Sequence, residues 1–242
     1  SANRYWREKE RQGRLTYPRI DLFFFHYTIL CGQQETLATH VFQAFKEWWQ
    51  KEPRDLDNEL KRIVKASEIF RELFSPAGTS YIAEFGRLIK TLDVSSVTPV
   101  YLALRERLEP DSDALRFALG DIASYLTRRA VCGFTTKGYN RVFMRLLEVV
   151  TGAQDKPEDA LRQALLKLGG SSQAWPSDDE FSLHWSNRAV YKELRPAKVC
   201  AVLRALEYAA RGSFQGSQEV PEQSKLTVEH VLPQSWESGG NY

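Results

Sequence analysis

Residues 113–132 constrain the fold more than any other stretch. Leu115, Leu119, Ile122 and Leu126 recur at three- and four-residue steps, a spacing that puts apolar side chains on one face of a helix. The Glu-Pro-Asp-Ser-Asp run at 109–113 supplies a stop and then an N-cap, and Gly133 stands where a helix would end. The same pattern returns along the chain. Residues 18–32 read as a buried aromatic helix started by Pro18, and residues 39–50 carry Val41, Phe42, Phe45, Trp48 and Trp49 on one face. Residues 55–74 turn Leu56, Leu60, Ile63, Val64, Phe70, Leu73 and Phe74 inward; residues 81–92, 97–108, 158–168 and 196–211 repeat the period. Pro53, the Ser-Pro-Ala-Gly turn at 75–78 and Gly169-Gly170 punctuate it. Strand-type residues cluster only near the C-terminus, at 226–231. The expected fold is mainly α, a bundle-like domain of about nine or ten helices with one short β element at the end.

Composition narrows the function classes. Of 242 residues, 43% are hydrophobic and 12% aromatic, enough for a substantial core. The net charge of +2 does not mark a strongly basic protein. Cys31, Cys132 and Cys200 lack metal or disulfide spacing, which fits a reducing, cytoplasmic setting. No apolar run approaches the ~20 residues of a membrane span, no secretory signal is visible, and no membrane partner is expected. Phosphate-cradling glycine motifs are absent, so these residues bind no nucleotide in those ways. The expected layout is a basic segment at 1–19, a helical domain at 20–211, a Gly/Ser/Gln/Pro-rich hinge at 212–224 and a separate C-terminal piece at 225–242. The basic segment reads as a solvated end, with an arm that touches nucleic acid or another domain as the alternative.

Residues 122–147 hold Arg128, Arg129, Lys137, Arg141 and Arg145 and no acid, with Asn140 and Thr135 as neutral donors. They are DNA-contact candidates through the phosphate backbone. The competing reading has Arg128 and Arg129 tying helix ends to carbonyls and buried acids. Asp178, Asp179 and Glu180 precede a helical run and are read as N-terminal caps rather than a metal site, with His184 nearby. His26 and His40 are read as packed or surface residues. The aromatics of 41–49 are read as core in preference to a base-stacking platform.

The chemistry sits at the end of the chain. Glu229 and His230 close a short strand that Pro233 stops. A carboxylate that holds a divalent cation, beside an imidazole that takes a proton from water, suits a metal-dependent nuclease. An ordinary edge strand with two polar residues is the bland alternative.

The string Glu229-His-Val-Leu-Pro-Gln-Ser-Trp236 resembles the first strand of an HNH (His-Me finger) nuclease, above all that of the GmrSD-type, modification-dependent restriction endonucleases. Leu126-Thr-Arg-Arg-Ala-Val-Cys-Gly-Phe-Thr-Thr-Lys-Gly-Tyr-Asn-Arg-Val-Phe143 and Trp175-Pro-Ser-Asp-Asp-Glu-Phe181 are similar to two further segments of that family, in the same order. The resemblance implies His230 as general base and Glu229 as ligand to Mg²⁺ or another divalent cation. It also implies DNA, as modified phage DNA, for substrate, and an upstream ParB-like NTPase domain that brings in the NTP. The second strand and helix of a ββα-metal unit are not visible before Tyr242, so the chain is expected to be the helical middle of such an enzyme plus its first nuclease strand, inactive alone. The alternative is a non-enzymatic helical module that binds DNA or protein.

Overall fold

The computed structural model describes residues 2–12, 15–170, 172–211 and Thr227. Among them are twelve α-helices and one two-stranded sheet, so the chain is mainly α. The chain divides into two compact units, Ser1–His184 and Trp185–Tyr242.

The first unit opens with α1 (Ala2–Arg7) and an antiparallel hairpin, β1 (Lys9–Gln12) on β2 (Leu15–Pro18), with Lys9 opposite Pro18 and Gln12 opposite Leu15. Sequence reasoning left this segment as a solvated basic end. Internal charge pairing orders it: Arg19 donates to Glu8 and Glu10, each at 2.6 Å, and lies 4.4 Å over the Tyr5 ring.

The aromatic helix forms as the sequence predicts. It is α2 (Arg19–Gly32), buried through Leu22, Phe23, His26, Tyr27 and Leu30 and closed by Gln33 in the left-handed region. Then come α3 (Val41–Lys51), α4 (Leu56–Phe74) and α5 (Tyr81–Leu92). Next, α6 (Thr98–Arg107) is buried on every side from Thr98 to Arg105, the pattern of a central helix. Helices α2 and α4 pack on it, as does α8 (Tyr139–Gly152). The long helix α7 (Asp113–Cys132) buries the expected stripe of Leu115, Leu119, Ile122 and Leu126, and Gly133 caps it at φ 70°. Helix α9 (Pro157–Leu166) packs against both α7 and α8.

Two expectations about burial fail. On α4, Leu56, Leu60 and Val64 are exposed, while Ala66, Ile69, Phe70 and Leu73 are buried. Only the second half of that helix meets the core; Glu59, held by the Tyr27 hydroxyl at 2.5 Å, is the one buried residue of the first half. On α3, Trp48 is the sole buried side chain. Three helices, α1, α8 and the short α11, add to those that the sequence pattern predicts.

The chain continues through α10 (Asp178–Asn187). In the second unit, α11 (Val190–Glu193) packs on α12 (Pro196–Arg211), with Val190, Val199, Ala201 and Val202 buried. Residues 225, 226 and 228–242, where the β element was expected, lie outside the described residues.

Candidate nucleic-acid interface

The joint between α7 and α8 is built around Arg129. It sits in the last turn of α7, where it is 0% exposed. Its guanidinium donates to three carbonyls, those of Thr135, Ser172 and Ala174, each at 2.8 Å. Three rings enclose it: Tyr125, Phe134 and Tyr139 have their centroids 5.5, 5.3 and 5.6 Å from its carbon. Cation–π attraction and charge-assisted hydrogen bonds together offset the cost of removing the cation from water. Burial pushes the Tyr125 and Tyr139 hydroxyls above their usual range, so both stay protonated at neutral pH.

Arg128 reaches the same strip of chain from the next position. It donates to the Pro176 carbonyl at 3.1 Å and to Ser124 Oγ at 3.1 Å, and pairs with Asp178 at 2.5 Å. Tyr125 adds a bond from its hydroxyl to the Gln173 carbonyl at 3.0 Å. Residues 172–178 are therefore clamped by the end of α7. Just beyond, Ser177 and Glu180 form a capping box: Ser177 Oγ accepts from the Glu180 amide at 3.2 Å, and the Ser177 amide donates to Glu180 Oε2 at 2.9 Å. The acids at 178–180 start α10, in line with the capping reading, and no group of three or more metal-ligating side chains occurs among the described residues.

The six DNA-contact candidates separate into two groups. Arg128 and Arg129 direct hydrogen bonds to backbone carbonyls, as the tying reading has it, although the acid that Arg128 pairs with, Asp178, is exposed rather than buried. Lys137, Asn140, Arg141 and Arg145 are all exposed, with no ion pair or side-chain hydrogen bond among the described residues. Lys137, Arg141 and Arg145 follow one another at four-residue steps, the latter two along α8. Arg141 and Arg145 share one face of α8, with Asn140 beside Arg141 and Lys137 in the turn just before the helix, and together they make an exposed cationic stripe along the surface. Glu229 and His230 lie outside the described residues.

One concave feature lies elsewhere in the first unit, a cavity of about 640 Å³ lined by Cys31, Gln33, Trp48, Arg54, Arg62 and Glu106, among others. Arg62 is forked onto Glu106 at 2.8 and 3.1 Å, and Arg54 lies 3.9 Å over Trp48. Burial pushes the Cys31 thiol up to about 12, which keeps it protonated at neutral pH. His26 is buried among Phe25, Phe70 and Phe74, and His40 is exposed, as expected of packed and surface residues.

The clamped strip is where similarity to known proteins begins. Residues 175–241 match the family described as GmrSD restriction endonucleases, C-terminal domain. No curated protein and no solved structure matches the chain. The GmrSD match includes Trp175 to Phe181 and both Glu229 and His230, while Leu126 to Phe143 precedes it. The α7–α8 joint thus holds the first residues of the GmrSD-like region. Sequence reasoning missed that Arg128 and Asp178 are partners, and that Arg129 lies within three rings. The available signal was Tyr125, one helical turn before Arg129, which puts ring and cation on the same face.

No helix among the described residues is long and apolar enough to cross a membrane.

Proposed function

We propose that this chain is part of a metal-dependent DNA endonuclease that restricts modified foreign DNA. The observation that carries the reading is the GmrSD restriction endonuclease match over 175–241, which contains the Glu229-His230 pair. His230 is the general base: an imidazole nitrogen takes the proton from the attacking water as it meets the scissile phosphodiester. Glu229 holds a divalent cation, Mg²⁺ by preference for oxygen donors. Such a cation, when bound, neutralises charge on the scissile phosphate and the leaving oxygen. The donor set, a carboxylate next to an imidazole, has the chemistry for this role. The exposed stripe of Lys137, Arg141 and Arg145, with Asn140, contacts the DNA backbone and sets register without reading sequence. The helical body links an upstream NTPase domain to the cutting residues, with the α7–α8 joint as its hold on the GmrSD-like region.

The test is DNA cleavage by the intact protein with Mg²⁺, with a chelator, and by Glu229→Gln. Cutting that needs Mg²⁺ and falls at least about 100-fold in Glu229→Gln fits the reading. Cutting unaffected by both removes the metal and Glu229 from it.

The second reading, a helical DNA-binding module without catalysis, is favoured by the same exposed cationic stripe. It predicts DNA binding and no cutting under any metal or NTP condition.

A further inference from the structure

Helix α3 presents an apolar face that no other element among the described residues covers. Phe42 is 80% exposed, and Phe45 and Trp49, three and seven residues on, are half-buried. Their rings are organised. Phe45 and Trp49 are stacked at 6.2 Å and 26°, and Phe24 of α2 meets Phe45 edge-on at 5.9 Å, supporting the platform from below. Lys46 stands between Phe42 and Trp49 on the same face, exposed and without an ion pair among the described residues; Gln50 flanks it. No acid shares these positions. Glu47, the one acid within α3, accepts from Gln43 and lines the cavity at the helix's other edge.

This combination selects among occupants. Large exposed apolar faces mark interaction surfaces. Protein–protein interfaces take aromatics but are depleted in lysine. Stacking platforms for unpaired bases need both: rings whose faces are open, and a cation for the backbone. The amide of Gln50 adds a donor and an acceptor for a base edge. The charge is complementary to a polyanion.

We propose that the Phe42–Phe45–Trp49 face of α3, with Lys46, stacks unpaired bases of single-stranded DNA. The proposal rests on the reading of DNA as the substrate. It names the form of DNA that this face takes: a strand whose bases are out of the duplex. The exposed α8 stripe, which lacks aromatics, is suited instead to a duplex backbone.

The probe is oligothymidylate, titrated into the full chain in the presence of a chelator and followed by tryptophan fluorescence. Because no cutting occurs in that mixture, failure here leaves the nuclease reading intact, and loss of nuclease activity elsewhere leaves this result intact. Expected is quenching with affinity that falls about tenfold in Phe42→Ala and equally in Phe42→Leu, because leucine has no π face. Lys46→Gln lowers the salt dependence by about one phosphate contact, a slope change of ~0.7. Phe42 is so exposed that neither variant threatens folding. Absence of quenching, or quenching unchanged in Phe42→Ala, overturns the proposal. Concentration-dependent self-association that Phe42→Ala abolishes and Phe42→Leu keeps also overturns it, and makes the face a protein-docking surface.

Discussion

The guanidinium of Arg129 and the carbonyl oxygen of Ala174 lie 2.8 Å apart, which ties the last turn of α7 to the residue just before the GmrSD-like region begins. Two more carbonyls and three rings complete the setting, with no exposed atom left for an outside ligand. Arg129→Lys keeps the charge but loses the fork that serves all three carbonyls. The expected cost is about 3 kcal/mol, or roughly 10 °C in melting temperature. Amide exchange within residues 172–176 should accelerate along with it. Melting and exchange unchanged from the parent would mean that the joint holds the strip by other contacts.

Gly86 of α5 lies against the backbone of α4. A Cβ there would stand 2.7 Å from the Leu73 carbonyl oxygen. Gly86→Ala should destabilise the first unit by about 1–3 kcal/mol, because backbone cannot yield as a side chain can. Chemical denaturation of the two proteins side by side checks it.

His26 predicts an acid-sensitive core. It is 1% exposed, both ring nitrogens lack a hydrogen-bond partner among the described residues, and burial lowers its pKa from 6.5 to about 3. The unfolded chain therefore binds one more proton than the folded chain between those values. The stability present above pH 6.5 is lost as pH falls below it, at about 1.4 kcal/mol per unit, or about 2 kcal/mol by pH 5. His26→Phe, set among Phe25, Phe70 and Phe74, should remove this slope. Denaturation midpoints at pH 7 and pH 5 give the comparison; equal slopes in both proteins would contradict it.

The cationic stripe predicts a different signature. Lys137, Arg141 and Arg145 changed together to Gln should leave melting within about 0.5 kcal/mol of the parent, as exposed charges do. The same change should weaken duplex DNA binding and flatten its salt dependence by up to about 0.9 per lost contact. Filter binding across a salt series checks this. An unchanged salt slope would remove the stripe from the interface.

Much of the fold could be read from spacing alone. The limits of α5, α7 and α12 follow from apolar period and Pro/Gly punctuation, and the stripe of α7 is buried as its leucines predict. What spacing cannot give is which apolar face finds a partner. Phe42 and Leu60 have the same helical period as buried residues, yet both are exposed. The N-terminal hairpin was hidden because Lys9, Glu10 and Arg11 carry no strand signal; its order comes from Arg19 pairing with acids nine and eleven residues away. In the candidate site, the basic residues were visible in sequence but their division was not. Only the structure separates Arg128 and Arg129, spent on carbonyls and Asp178, from the exposed Arg141 and Arg145.

The proposed general base is His230. The most direct measurement compares the intact protein with its His230→Ala variant on modified and unmodified phage DNA, with Mg²⁺ and NTP, recording binding and cutting separately. The His230 assignment predicts cutting of modified DNA by the parent, a loss of at least about 100-fold in the variant, and equal DNA affinity in both. Equal cutting by parent and variant would contradict it.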